Sequence, residues 1–247
     1  MNALLVRVAA DQSRAGGSWN GPVDTTSGEF AYVAIPENLA VHDGMEKPYH
    51  ALEPVLARFD TRLPPDLYEH YMHLDPDFKS LTYGDRDQRG KQLRARLSSG
   101  DMIVFYAGLS DMNGGARLVY AIIGLFVVDA LINAKDVLIN ERAINAHSRR
   151  ILEPDANDVI VLARPGVSGR LERCLSIGEW RDRAYRVRHD LLVEWGGLSV
   201  KNGYLQRSVR LPRFSDPERF LIWLESQHPT LIQDNNGGGT HAEDLLL

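Results

Sequence analysis

Two long apolar runs joined by a glycine-rich connection constrain the fold of this chain more than any other feature. Residues 102–107 and 118–128 are rich in β-branched and aromatic side chains, and Asn113-Gly114-Gly115 lies between them. Two such runs separated by a glycine-containing turn predict a buried β-hairpin. The sequence therefore predicts an antiparallel pair of strands in the core.

Further strand-like runs flank this hairpin, and the helix signals between them are few. Strands are predicted at residues 3–9, 30–36, 158–163, 171–177 and 204–211. Helices are predicted at 67–72, 90–98 and 141–150, and after the capping-box pattern Ser215-Asp216-Pro217-Glu218. Because regular helices do not separate the strands, a mixed, mostly antiparallel α+β sheet flanked by short helices is favoured over a doubly wound parallel sheet.

The end of the chain differs in composition from the rest. Residues 234–241 read Asp-Asn-Asn-Gly-Gly-Gly-Thr-His, which is too polar and glycine-rich to form a core. The sequence therefore predicts a single domain over residues 1–231 and a flexible C-terminal tail over residues 232–247.

Charge and cysteine usage limit the classes of function. The net charge of −5 argues against broad attraction to a polyphosphate. The single cysteine, Cys174, excludes an internal disulfide and a multi-cysteine zinc site. The longest apolar stretch, near residues 119–128, is far shorter than a bilayer span, and the N-terminus lacks a secretory signal. We expect a cytoplasmic protein with no membrane partner.

The densest group of titratable residues is His73-Leu74-Asp75-Pro76-Asp77, with Asp85 shortly after it. In an extended segment alternate side chains share a face, so His73, Asp75 and Asp77 are predicted to project together. One imidazole and two carboxylates on one face can hold a divalent metal ion or pair a general base with its orienting acid. A solvated Asp-Pro turn after a helix explains the same residues, and both interpretations remain open.

Two other segments suggest phosphate binding. The N-terminal loop carries Arg7, Asp11, Ser13 and the pair Gly16-Gly17, and successive amides in glycine turns can form an anion-binding nest. An ordinary flexible loop is the alternative. Residues 164–213 contain eleven Lys or Arg against five acids, interleaved with aromatic residues. Such a surface can grip nucleotides, although a solvated charged face over core aromatics is equally compatible.

Several short motifs, read together, resemble the nucleotide modification associated domain family, third type. They are the loop Arg7-x-x-x-Asp11-x-Ser13-x-x-Gly16-Gly17, Ala34-Ile35-Pro36, His73-x-Asp75-Pro76-Asp77, the run Gly100-Asp-Met-Ile-Val-Phe-Tyr106-Ala-Gly108, and Gly203-Tyr204-Leu-Gln-Arg207-Ser-Val-Arg210. The resemblance spans about residues 3–226. The family's Lys-Gly after the first arginine is Val8-Ala9 here.

This resemblance implies a protein that makes or handles modified nucleobases, because the family is described in terms of DNA base hypermodification. The run at residues 100–108 and the following strand are also similar to PUA-like domains of the EVE and ASCH groups. That similarity implies a small β-barrel that binds nucleic acid or modified bases.

We therefore expect a protein that acts on a nucleobase, a nucleotide or DNA. The expected catalytic residues are His73, Asp75, Asp77 and Asp85, with a divalent metal ion as the candidate cofactor on His73, Asp75 and Asp77. Phosphate is expected to bind Arg7, Asp11, Ser13, Gly16, Gly17, Tyr106, Tyr204, Arg207 and Arg210. Two alternatives stay open: a non-catalytic PUA-like module that recognises modified DNA or RNA bases, and an enzyme acting on a small molecule.

Overall fold

The computed structural model describes residues 1–205 and 208–237, and within them the strands form a large mixed sheet with two small ladders beside it. The strands are β1 (Ala3–Arg7), β2 (Pro22–Val23), β3 (Ile35–Pro36), β4 (Met72–His73), β5 (Thr82–Asp85), β6 (Met102–Asp111), β7 (Val119–Asn133), β8 (Val159–Ala163), β9 (Gly169–Ser176), β10 (Gly178–Arg181), β11 (Ala184–Val187) and β12 (Leu231–Ile232). The α-helices are α1 (Glu53–Ala57), α2 (Asp87–Arg96), α3 (Ala146–Arg149), α4 (His189–Glu194) and α5 (Pro217–Ser226). None of these helices is long and apolar enough to cross a membrane.

The predicted hairpin is the centre of the large sheet. β6 and β7 pair antiparallel from Met102 opposite Val127 to Leu109 opposite Val119. β7 also pairs antiparallel with β9 and with β8, and β8 pairs antiparallel with β5. β1 and β2 instead run parallel to β6. The structure therefore confirms a mixed, mostly antiparallel α+β fold.

The described strands do not close into a barrel. The main path of the sheet runs β1-β6-β7-β8-β5, and within residues 1–205 and 208–237 its end strands β1 and β5 do not pair with each other. The PUA-like barrel that the sequence suggested as the alternative architecture is therefore not adopted in this part of the chain.

The centre of the sheet is buried on both faces, so β1, β6 and the first half of β7 are largely apolar rather than alternating with polar residues. Leu4 and Val6 of β1 point into one core, which also contains residues 30–34 and Phe78. Leu5 points into the other core, which α4 and α5 cover with Leu191, Phe220, Trp223 and Leu224. The candidate site belongs to the first of these two layers.

Several predicted elements take other forms, and the strand predicted at residues 30–36 is reduced to β3. Residues 67–70 make turns rather than a helix, because the backbone is held by the neighbouring segment: Tyr49 donates to the carbonyl of His70, and Met72 donates to that of Lys47. The predicted strand at 204–211 is absent from its described residues. There the side chain of Gln92 on α2 binds the Val209 carbonyl at 2.8 Å and the Leu211 amide at 3.1 Å, so α2 replaces a neighbouring strand as the partner.

The first part of the predicted tail is held against the core. β12 pairs with β9, the side chain of Asn235 accepts from the amide of Phe78 at 2.8 Å, and Asn236 binds both backbone groups of Tyr32. Residues 232–237 therefore differ from the flexible tail that the sequence predicted. Residues 238–247 lie outside the described residues, and a single domain over 1–231 stays a prediction.

Candidate functional site

A cavity of about 420 Å³ lies where the end of β1, β3, β4, β5 and α3 meet. This volume falls within the range of about 300–1,000 Å³ that is usual for small-molecule sites. Its walls combine aliphatic side chains with several ionisable ones. The lining residues are Arg7, Val8, Ala9, Ala15, Ile35, Pro36, Asn38, Leu39, His73, Asp75, Tyr83, Gly84, Asp85, Arg86, Arg89, His147, Arg150, Ser208 and Val209.

All three segments that the sequence singled out contribute to this cavity. Arg7 and Ala15 come from the N-terminal segment, His73, Asp75 and Asp85 come from the His/Asp segment, and Ser208 and Val209 come from the C-terminal basic segment. The structure thus brings together residues that lie up to two hundred positions apart in the chain.

The proton on His73 is fixed by a buried glutamate. Nδ1 of His73 lies 2.6 Å from Oε2 of Glu37, the residue that follows β3. An ionised carboxylate only accepts hydrogen bonds, so Nδ1 carries the hydrogen and Nε2 keeps a lone pair. Burial lowers the pKa of His73 to about 4 against the opposing effect of Glu37. Burial would raise the pKa of Glu37, but the hydrogen bonds from His73 and Arg150 lower it to about 2.

Asp75 is buried beside a second histidine. Its Oδ1 accepts from the amide of Gly84 and from Nδ2 of Asn145, each at 2.8 Å. Its Oδ2 lies 3.7 Å from Nε2 of His147. Burial raises the pKa of Asp75 to about 7, although His147 and both hydrogen bonds oppose the shift. A carboxyl group that titrates near neutrality can either give or take a proton.

His147 is oriented in the same way as His73. Its Nδ1 lies 2.5 Å from Oδ1 of Asp158, so Nδ1 donates and Nε2 faces Asp75. Asn145 caps the short helix α3 by accepting from the amide of His147 at 2.8 Å. The ring fits because Gly84 has no side chain: a Cβ there would lie 2.3 Å from Cδ2 of His147.

Arg150 connects the two carboxylates that orient the histidines. Its NH2 lies 2.9 Å from Oε1 of Glu37, and its NH1 lies 3.8 Å from Oδ1 of Asp158. The rings of His73 and His147 meet edge to face, with their centroids 4.9 Å apart. We call His73, Asp75 and His147 the inner cluster; each brings a potential ligand atom within 4.8 Å of the others.

Asp77 does not join this group. It pairs with Thr82 across a turn, accepts from the amides of Lys79 and Ser80, and binds NH2 of Arg149 at 2.6 Å. The extended strand β4 ends at His73, so the alternation that would have aligned Asp77 with His73 and Asp75 is lost. Asp77 therefore stabilises the turn and a buried ion pair.

Asp85 lines the cavity in a separate pair. It accepts from Nε of Arg89 at 2.6 Å and from the hydroxyl of Tyr83 at 2.7 Å, and NH2 of Arg89 donates to that hydroxyl at 2.9 Å. The charge of Asp85 is thus matched by Arg89 on the first turns of α2.

The N-terminal loop is built around its own polar groups. Asp11 accepts from the amide and the hydroxyl of Ser13, and that hydroxyl accepts from the amide of Gly16 at 3.0 Å. The amides of Gly17 and Ser18 donate to carbonyls within the loop. Those amides are therefore engaged inside the loop instead of forming a nest. Gly17, at φ 91°, packs against Pro36, so the loop supports the cavity wall at β3.

Three further predicted phosphate ligands, Tyr106, Tyr204 and Arg210, are not among the residues that line the cavity. Tyr106 is buried in the second core and donates to the carbonyl of Leu205 at 2.9 Å. The guanidinium carbon of Arg186 lies over the ring of Tyr204, 5.5 Å from the ring centroid. Arg210 is exposed next to the lining residues Ser208 and Val209, and Arg207 lies outside the described residues.

The residues that sequence reasoning missed are Glu37, Asn145, His147, Arg150 and Asp158. Residues 141–150 were interpreted as a surface helix, whereas a 3₁₀-helix at Ile139–Ile144 leads into α3, whose residues are all buried. A histidine followed by two arginines with no periodic apolar face was a weak signal against a surface helix. Nothing in the sequence indicated which carboxylates pair with it.

The fold and this site define a class of protein: an α+β domain with a buried two-histidine, one-aspartate cluster at the base of a cavity. The family model described as nucleotide modification associated domain 3 matches residues 2–215. The chain therefore belongs to the nucleotide modification associated domain 3 family.

Other comparisons give more distant relations. No match is found among curated proteins. Among solved structures, the N-terminal domain of McrB from Thermococcus gammatolerans, bound to m5C DNA, is similar over 92% of this chain and 98% of that chain. Its sequence identity is 10% and the TM-score is 0.36.

Proposed function

We propose that this domain modifies a nucleobase of DNA, which enters the cavity and meets the inner cluster. Membership of the nucleotide modification associated domain 3 family supports the substrate class. The observation that carries the proposal is the convergence of the buried inner cluster with arginines and aliphatic side chains around one cavity. In this proposal the inner cluster supplies the reactive groups that face the base.

The aliphatic wall suits a planar ring. Ile35, Pro36, Leu39 and Val209 line the same cavity as His73 and Asp75. Binding sites of this kind use apolar surface for the body of a ligand and a few placed polar groups for its orientation. A base can lie against these residues while its polar edge faces His73 and Asp75.

Arg7 supports an anionic or carbonyl-bearing ligand. Its side chain is about nine-tenths buried, and Asp11 is 3.7 Å from its NH2. Its Nε has no hydrogen-bond partner within the described residues. A buried guanidinium with an unused donor is uncommon, and a bound phosphate or base carbonyl would complete its hydrogen bonds.

Positive charge beside the cavity suits a DNA backbone. Arg96 on α2 donates to the carbonyl of Leu211 at 3.2 Å, which places it beside the segment that carries Arg210 and Arg213, and burial and these two charges lower its pKa. The same segment that carries Arg210 supplies Ser208 and Val209 to the cavity. Clustered arginines attract phosphates with release of counterions, so a DNA strand is expected to pass here.

The test is the nucleoside content of DNA from cells that produce the protein. With the unaltered protein, mass spectrometry of hydrolysed DNA is expected to show a new nucleoside. Asp75→Asn removes the only carboxylate of the inner cluster, and we expect the new nucleoside to form about 10²–10⁴-fold more slowly, a loss of the size found when a catalytic side chain is removed. Asp155→Asn, at an exposed aspartate away from the cavity, is expected to leave the yield unchanged.

Each other outcome selects an alternative. If the unaltered protein yields no new nucleoside but binds modified DNA, the domain is a non-catalytic recognition module. If it converts free nucleotides and does not bind DNA, it is an enzyme acting on small molecules. Equal yields of the new nucleoside from the unaltered protein and from Asp75→Asn would show that Asp75 of the inner cluster takes no part in the reaction.

A further inference from the structure

We infer that the inner cluster binds one divalent transition-metal ion through His73, Asp75 and His147. Nothing in the family description assigns a metal to these residues, and the ligand set differs from the one that the sequence suggested, with His147 in place of Asp77. The metal's part in catalysis rests on the proposed function, but its binding can be tested alone.

The positions of the three side chains suit a single ion. Their ligand atoms lie within 4.8 Å of one another. Metal–ligand bonds of about 2.0–2.2 Å in tetrahedral geometry place two ligand atoms about 3.3–3.6 Å apart. Nε2 of His147 and Oδ2 of Asp75 already lie 3.7 Å apart, and side-chain movements of about 1 Å bring the third ligand atom onto the same ion.

Both histidines are already oriented as metal ligands usually are. A metal-bound imidazole commonly donates its other N–H to a carboxylate, which fixes the ring and makes the free nitrogen a better donor. Glu37 accepts from Nδ1 of His73 at 2.6 Å, and Asp158 accepts from Nδ1 of His147 at 2.5 Å. Two histidines with this arrangement, of which His147 directs Nε2 at Asp75 from 3.7 Å, constitute an observation independent of the clustering itself.

The charge of the surroundings also matches a dication. Glu37, Asp75 and Asp158 contribute three carboxylates to this buried group, and Arg150 contributes one guanidinium that contacts both Glu37 and Asp158. When all three are ionised, two negative charges remain in excess. Such an excess is costly to bury without a cation.

The donor set defines the class of metal. Two imidazole nitrogens and one carboxylate oxygen suit zinc, iron, cobalt or manganese, whereas magnesium and calcium prefer oxygen ligands. Three protein ligands leave coordination positions for water or substrate, as in catalytic sites. The adjoining cavity gives a ligand access to those positions.

Calorimetric titration of the chelator-treated full-length chain with zinc chloride tests this inference. We expect one equivalent to bind, and magnesium chloride to produce no saturable heat. His73→Ala and His147→Ala are each expected to lose the binding. His50→Ala, at an exposed histidine away from the cavity, is the matched control and should bind zinc as the unaltered chain does.

Two further measurements guard against loss of folding in the alanine variants. Zinc at about 100 times its dissociation constant should raise the Tm of the unaltered chain by roughly 5–10 °C. Glu37→Gln keeps all three ligands and should weaken zinc binding by about 10–100-fold. The inference is overturned if the unaltered chain binds no zinc, or if folded His147→Ala binds it equally well.

Failure of this inference is distinguishable from failure of the proposed function. Zinc bound at the inner cluster without any new nucleoside would contradict the DNA-modifying role and leave the metal site intact. If instead the chain binds no metal but forms a new nucleoside that depends on Asp75, the metal site would be contradicted and the DNA-modifying role would be supported.

Discussion

Replacing Arg150 by alanine is expected to lower the free energy of unfolding by about 3–5 kcal/mol, because it leaves buried charges unpaired. The guanidinium makes hydrogen bonds to Glu37 at 2.9–3.1 Å and lies 3.8 Å from Asp158. The side chains of all three residues are at least nine-tenths buried. The change therefore leaves two buried carboxylates without this cation, held by their histidine partners and, in the case of Glu37, by the amide of Leu39 at 3.0 Å.

Urea denaturation followed by circular dichroism measures this loss. Arg62→Ala is the matched control, because Arg62 is exposed, and it is expected to change the free energy of unfolding by less than about 0.5 kcal/mol. Arg150→Lys keeps the positive charge but not the forked geometry of the guanidinium. Its free energy of unfolding is therefore expected to lie between those of Arg150→Ala and the unaltered protein. A loss below about 1 kcal/mol for Arg150→Ala would contradict the role of this arginine in holding the site together.

Gly84→Ala is expected to disable the site without altering any polar side chain. The new Cβ would lie 2.3 Å from Cδ2 of His147 and 2.9 Å from Oδ1 of Asn145. The ring cannot yield easily, since Asp158 holds it at the opposite nitrogen. We expect a loss of about 1–3 kcal/mol in stability from overpacking. A shift of His147 by about 1 Å is expected to slow nucleoside formation about 10²-fold.

The control for this change is Gly100→Ala. Gly100 has no neighbour within 4 Å but adopts φ +89°, so alanine there costs about 1–2 kcal/mol of backbone strain without touching the site. The two variants should therefore have similar stability, while the new nucleoside forms normally only with Gly100→Ala. Normal yield and zinc binding in Gly84→Ala would show that close packing of His147 against β5 is unnecessary.

Much of the fold could be predicted because its core strands carry strong local signals. The run at residues 102–107 forms the expected strand, and α5 begins at Pro217 after the predicted capping segment. The cap itself differs from the predicted capping box, because the side chain of Asp216, and not that of Ser215, accepts from the amide of Arg219. The helix predicted at 67–72 and the strand predicted at 204–211 are wrong for the opposite reason. Their backbone partners are Lys47 and Gln92, which are distant in sequence and have no local pattern that marks them.

The site was predictable in part. His73 and Asp75 were found because a short motif contains both, and Arg7 was found through its loop. Asp77 shared that motif but is recruited by Arg149, a pairing that requires tertiary information. His147 was missed for the same reason: it reaches Asp75 only because α3 packs against Gly84 of β5.

Photo-crosslinking of the full chain to an oligonucleotide that contains 4-thiothymidine tests most directly whether the cavity receives the base. We predict that mass spectrometry will find the crosslinks on the cavity-lining residues Ile35, Pro36, Asn38, Leu39, Ser208 and Val209. The competing surface is the ladder of β10 and β11, where Trp180 is exposed and Arg117 lies 5.8 Å from its ring centroid. Crosslinks confined to that ladder, with none at the cavity, would contradict the account.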